Sequence, residues 1–293
     1  MRLGSAGLAG AALLGAAGCG GGTASSGGKT LVVGNIGWDE NVAVSNLTKV
    51  LLEENLGYES VELQTLDVGV LYQSVAKGDL DMFQDVWTPI HDNYLKELGD
   101  QFEHLEPWYK GEAKSGLGVP SYMGVSSIAQ LNDTEATRIV GIEPGTEFVR
   151  LTGEKVIPQY GLKQELVESS TSGMLAEIEG LYKAREPFVF MAWSPHWMNE
   201  KYDITYLEDP KGALGAVAKP AKLSSVVREG LEEDDPAAHA FMSELSLDEE
   251  QLNVLEAAIN ENGAEDPTKG VKVWLEGNRN VVQPWIDAAK AAA

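Results

Sequence analysis

The chain is poor in several residue types, and each shortage narrows what it can be. It has 293 residues but one cysteine, Cys19, and four histidines. A lone cysteine rules out an internal disulfide, and no Cys/His set has the spacing of a metal site, so no cofactor or metal is expected. Basic residues are also scarce. Lys and Arg number 22 against 45 Asp and Glu, for a formal net charge of -23. Such an acidic chain repels nucleic acid and anionic lipid, which excludes both as direct partners. No apolar run is long enough to cross a bilayer.

What the sequence does contain begins with a leader. "MRLGSAGLAGAALLGAAGC" has one early arginine, a short Leu/Ala/Gly run and small residues before Cys19. The arrangement resembles a bacterial lipobox, with Ala16 where leucine is usual, and implies acylation of Cys19; an ordinary cleaved signal is the alternative. The Gly/Ser stretch that follows has no capacity for a core and reads as a tether. Residues 1–18 are thus expected to be a signal peptide and 19–29 a leash to the outer face of a membrane. The 43% hydrophobic content of the whole chain is that of a globular protein.

From Lys29 onward strands and helices alternate. "KTLVVGNIGW", "SVELQTL" and "DLDMFQDVW" read as strands. Asp39 is placed to cap a helix with apolar Val42, Leu47, Val50 and Leu51 at helical spacing, and Gly78 ends the next helix. Alternation of this kind predicts a parallel α/β sheet. A second α/β run follows, through "TRIVGIEPGTEF" and "EPFVFMAW" to "DITYLEDPKG". The remainder, from about Lys222, reads as mostly helical. The expected architecture is two α/β lobes around a hinged cleft, with residues 30–117 and 216–293 in the first lobe and 118–215 in the second.

Ligands of open α/β sheets sit at the carboxyl ends of strands. Trp38, Trp87 and Trp193 fall at three such ends, where the chain breaks at Gly or Pro, with Tyr72 and Tyr122 near the same edge. Trp108, Trp274, Trp285 and Trp197 read as core packing instead. Several indole faces on one cleft suit a cation that has no N–H to give, because a quaternary ammonium offers a carboxylate no directional bond while indole attracts it through its quadrupole. Three faces supply roughly 2–6 kcal/mol, whereas a micromolar complex needs about 8 kcal/mol. A second anchor is therefore required. His91, just past "WTP", is one candidate donor to an anion. The backbone N–H groups of Gly145, Thr146, Glu147 and Phe148, where "EPGTEF" opens a helix, are the other. Glu147 must turn its carboxylate away from such an anion. A small zwitterion, quaternary ammonium at one end and carboxylate at the other, would use all of these features.

"FQDVWTPIHDNYL", "GLGVPSYMGVSSIAQL", "VGIEPGT" and "MAWSPHWMNEKYDI" with "YLEDPKG" resemble the glycine betaine-binding proteins of ABC importers. The resemblance runs from about Thr30 over nearly all the chain. It implies a type II periplasmic-binding-protein fold closing on a compatible solute, a monomer that hands its ligand to a permease. It assigns the box to Trp38, Trp87 and Trp193 and the carboxylate contact to His91 and the amides after "EPG"; Tyr72, Tyr122 and His196 are secondary candidates. Some relatives carry a box aromatic in that loop, which Thr146 cannot supply. Choline or carnitine is the alternative ligand; choline would leave the carboxylate anchors idle. An enzyme is disfavoured, because G-x-S-x-G is absent and "SSTSGM" lacks the strand–turn–helix frame of a nucleophile elbow. His91 and Asp92, adjacent on a loop, are poorly placed to act as a catalytic pair.

Overall fold

The computed structural model describes residues 28–263 and 266–293; the leader, Cys19 and most of the tether lie outside them. Ten strands run in chain order: β1 (Thr30–Asn35), β2 (Ser60–Thr65), β3 (Met82–Thr88), β4 (Phe102–His104), β5 (Lys114–Pro120), β6 (Arg138–Val140), β7 (Glu165–Val167), β8 (Val189–Ser194), β9 (Ile204–Tyr206) and β10 (Lys222–Arg228). They form two five-stranded sheets, ordered β2-β1-β3-β10-β4 and β7-β6-β8-β5-β9. In each sheet three parallel strands are followed by one that runs against them and by an edge strand that runs in the first direction again. The two halves therefore repeat one plan, the two-lobed α/β fold of periplasmic binding proteins.

The sheets are mixed rather than wholly parallel, and one strand corrects the reading of the C-terminal region. β10, "KLSSVVR", was expected to fall in helical chain. It is buried along most of its length and pairs antiparallel with β3 and β4. A strand covered on both faces has no polar alternation to announce it. The expected division after Leu117 falls inside β5, all of which pairs in the second sheet. The two connecting segments lie side by side between the sheets, where Ala113 and Ala221 exchange both backbone hydrogen bonds (2.9 and 2.7 Å).

Helices cover both sheets. The first, Asp39–Asn55, buries Val44, Leu47, Val50 and Leu51 against the sheet of β1. Its capping position is Trp38, not Asp39; Asp39 is the first helical residue, and its carboxylate is drawn to the other lobe instead. The helix Val68–Lys77 ends at Gly78, whose φ of 76° only glycine adopts without strain. The last helix, Pro267–Ala292, packs on the helices Asp39–Asn55, Pro236–Glu244 and Glu249–Asn262, returning the C-terminus to the first lobe. Trp108, Trp274 and Trp285 are buried, as core packing requires. Among the described residues no helix is long and apolar enough to cross a membrane.

Candidate functional site

One cavity, ≈ 430 Å³ including the space open to solvent, lies between the lobes. Trp38, Trp87 and His91 reach it from the first lobe. Trp193, Ile142, Thr146, Glu147 and Phe148 reach it from the second.

The same local sequence builds a wall in each lobe. Trp87 and Trp193 close β3 and β8, and each begins a W-x-P turn: Trp87-Thr88-Pro89 and Trp193-Ser194-Pro195. Both X–Pro bonds are cis. Trp38 follows Gly37, whose φ is 91°. The rings of Trp38 and Trp87 stand at 89° with centroids 6.5 Å apart, forming a corner. All three indoles are nearly buried, at 8%, 4% and 4% exposure for Trp38, Trp87 and Trp193.

Each of these indoles donates its N–H to a carboxylate. Trp38 bonds Glu143 Oε2 (3.1 Å), Trp87 bonds Asp85 Oδ1 (2.9 Å) and Trp193 bonds Glu40 Oε2 (3.0 Å). The first and third of these bonds cross between lobes. So do Trp197 Nε1 to Asp39 Oδ1 (2.6 Å) and His196 Nε2 against Asp39 Oδ2 (3.2 Å). The backbone N–H of Trp197 adds a bond to Glu256 (2.9 Å). Trp197 therefore joins the lobes besides packing on the core. Burial raises the Asp39 carboxyl, but the His196 and Trp197 contacts outweigh it and hold the group below the usual range.

His91 is buried, and burial pushes its imidazole down to about 3. It is neutral at physiological pH. Its Nδ1 accepts the backbone N–H of Trp87 (3.2 Å) and lies 3.0 Å from the Tyr72 hydroxyl. The proton thus belongs on Nε2, on the cavity side. Facing it, Thr146 caps the helix that starts at Glu147, its Oγ1 accepting from Val149 N–H (3.3 Å). The N–H groups of Glu147 and Phe148 have no protein acceptor among the described residues, as first-turn amides do. Gly145, with φ of 88°, makes the turn but does not line the cavity. The Glu147 carboxylate is turned onto Arg150, with contacts of 2.6 and 2.9 Å, which removes an anion from the amide edge.

Besides Gly145, three sequence candidates do not line the cavity. Tyr72 sits behind His91, stacked on Tyr94 (4.7 Å between centroids), so it orients the imidazole rather than forming a fourth wall. Tyr122 is at the far end of β5, and its hydroxyl bonds the Glu186 carbonyl. His196 backs the ring of Trp193 (4.7 Å) and is sealed from the cavity by it. In the other direction, sequence reasoning missed Glu40, Ile90, Ser115, Ile142 and Val217, all of which line it. It also gave Phe148 only a backbone role, although its side chain lines the cavity. For Glu40 the one available signal was its place beside Trp38, two residues on.

Glu40 and Asp85 lie fully buried beneath the corner. Glu40 Oε1 and Asp85 Oδ2 have no hydrogen-bond partner among the described residues, and two charged carboxylates cannot share such a site out of water, so one of the pair holds a proton. Burial raises both, Asp85 to about 8, although Trp87 and Glu40 pull it down. A carboxyl raised in the folded state binds protons the unfolded chain has already lost. Stability then falls as pH rises toward that folded value, by at most about 1.4 kcal/mol per pH unit per group. His91, depressed by folding, acts in the opposite sense, but only below its unfolded value of about 6.5. Between pH 7 and 8 the apo protein should therefore lose thermal stability, and Asp85→Asn should flatten that decline. An equally steep decline of Tm in the variant would show that Asp85 is not the group responsible.

A family described as the substrate-binding domain of ABC-type glycine betaine transport systems matches residues 29–277. The glycine betaine/carnitine transport binding protein of Listeria monocytogenes is 30% identical over 155 residues, covering 52% of this chain and 50% of that protein. Lactococcal OpuAC, in its closed conformation with glycine betaine, superposes with a TM-score of 0.78 at 31% identity, covering 88% of this chain and 99% of that one. An ABC-transporter choline-binding protein in complex with choline gives a TM-score of 0.77 at 27% identity, over 90% of this chain and 97% of that one.

Proposed function

The chain belongs to the family of substrate-binding domains of ABC-type glycine betaine transport systems, and from that premise we propose that its cleft holds glycine betaine, or a close relative, in an aromatic box. As a member of that family it binds a small ligand outside the cytoplasm and serves an ABC permease. The observation that carries the box reading is the convergence of Trp38 and Trp87 from one lobe and Trp193 from the other on a single cavity. The quaternary ammonium lies against the three indole faces, and the carboxylate takes the Nε2–H of His91 and the amides of Glu147 and Phe148. Closure buries both ends, and excluding water strengthens every electrostatic contact. Capture and delivery need no chemical step, so the protein is not an enzyme. The leader supports a lipoprotein, with Cys19 acylated and a monomeric body tethered to the extracytoplasmic face of the cell membrane.

The choline-binding relative supplies the second reading. His91 and the unpartnered amides favour a carboxylate-bearing ligand over choline. Titrating tryptophan fluorescence with glycine betaine, proline betaine, carnitine and choline tests this. Saturation by a betaine at concentrations well below choline is expected; a preference for choline would reverse the assignment.

A further inference from the structure

We propose that Glu143 is a positioning residue of the site, acting through Trp38: it seats the first lobe's indole on the turn that receives the anionic end of the ligand. The inference rests on the box reading above. Glu143 opens the "EPGT" turn but does not line the cavity. Its carboxylate is fixed by Thr171, whose backbone N–H and hydroxyl donate to it at 2.7 and 2.9 Å. Thr171 is the first residue of the helix Thr171–Ala184, so the anion sits at the positive end of that helix. Among the described residues the remaining donor to the carboxylate is Trp38 Nε1–H, from the opposite lobe. The carbonyl of the same residue accepts the Thr146 hydroxyl (3.1 Å) and backbone N–H (3.4 Å), shaping the amide turn. One residue thereby ties a wall for the cation to the turn for the anion.

Two consequences follow for ligand binding. In the closed arrangement the indole is held in one rotation, with its face turned to the cavity. An N–H donated to an anion is also a strong, charge-assisted bond that enriches the ring in electron density, and a richer face attracts a cation more strongly. Asp85 and Glu40 likewise accept the N–H groups of Trp87 and Trp193, but as a pair that retains a proton. Glu143 is the member of the set that lies outside the buried acid pair, and so it can be changed with least risk to folding.

The test is a double-mutant cycle, read by calorimetric Kd for glycine betaine. Glu143→Gln keeps an acceptor and the shape but removes the charge. It should weaken binding at least fivefold in the wild-type background and less than twofold when Trp38→Phe has removed the indole N–H. Glu143→Asp, a methylene too short to hold both Thr171 and Trp38, should lose at least as much and covers a glutamine variant that fails to fold. Equal losses with and without the indole N–H would place the effect at Thr171 alone and overturn the proposal, as would wild-type affinity in both Glu143 variants. If the wild-type chain binds neither glycine betaine nor choline, the box reading fails along with the proposal, an outcome distinct from either of these.

Discussion

Replacing Trp193 with alanine is expected to weaken glycine betaine binding at least tenfold. A cation over an indole face gains about 0.5–2 kcal/mol, and a tenfold loss corresponds to about 1.4 kcal/mol. Trp193 does more than supply a face. It is the second lobe's wall of the box, and its N–H bond to Glu40 helps hold the lobes together around the cavity. Alanine removes both contributions and leaves a buried carboxyl oxygen without its donor, so the loss should exceed that of an isolated cation–π contact. Trp193→Phe keeps a face but no N–H and should fall between the two. Calorimetry on both variants checks this order. Equal affinities for alanine and wild type would remove Trp193 from the box.

Changing His91 to alanine should weaken glycine betaine at least tenfold while altering choline less than threefold. Its imidazole is neutral, so it offers the ligand's carboxylate one Nε2–H donor and no net charge. Hydrogen bonds to charged groups are worth about 1.5–3 kcal/mol, and the tenfold figure is the lower end of that range. Because burial holds the imidazole at about 3, His91 stays neutral between pH 5 and 8. It should therefore impose no pH dependence on affinity across that interval. Equal losses for both ligands would assign His91 to packing, with Tyr72 and Trp38 as the neighbours it supports.

The parts of the site that the sequence made legible are those written in local signals. Trp87 and Trp193 each end an apolar strand one residue before an X-Pro step, and His91 lies within four residues of Trp87. Strand ends of an α/β sheet point to one edge, so three tryptophans at such ends could be grouped without coordinates. The carboxylates behind them carry no such mark. Trp38 meets Glu143 105 residues away, and Trp193 meets Glu40 across 153. Only the docking of one lobe on the other creates those pairs. Tyr72 misled because its distance along the chain from the strand end says nothing about which way its helix turns it. It faces His91 and Tyr94 in the interior. The strand β10 was hidden for a related reason. A reversed strand buried along most of its length shows neither alternation nor a preceding helix.

The reading of the cleft depends on charge attraction to ring faces rather than on apolar fit alone. The carbon isostere of glycine betaine, 3,3-dimethylbutanoate, has the same shape and carboxylate but no positive charge. Three indole faces at no less than about 0.5 kcal/mol each imply that the cation binds at least tenfold more tightly. Competition calorimetry with both ligands on the wild-type chain measures that ratio. The account predicts a glycine betaine Kd at least tenfold below that of the isostere, and equal Kd values would contradict it.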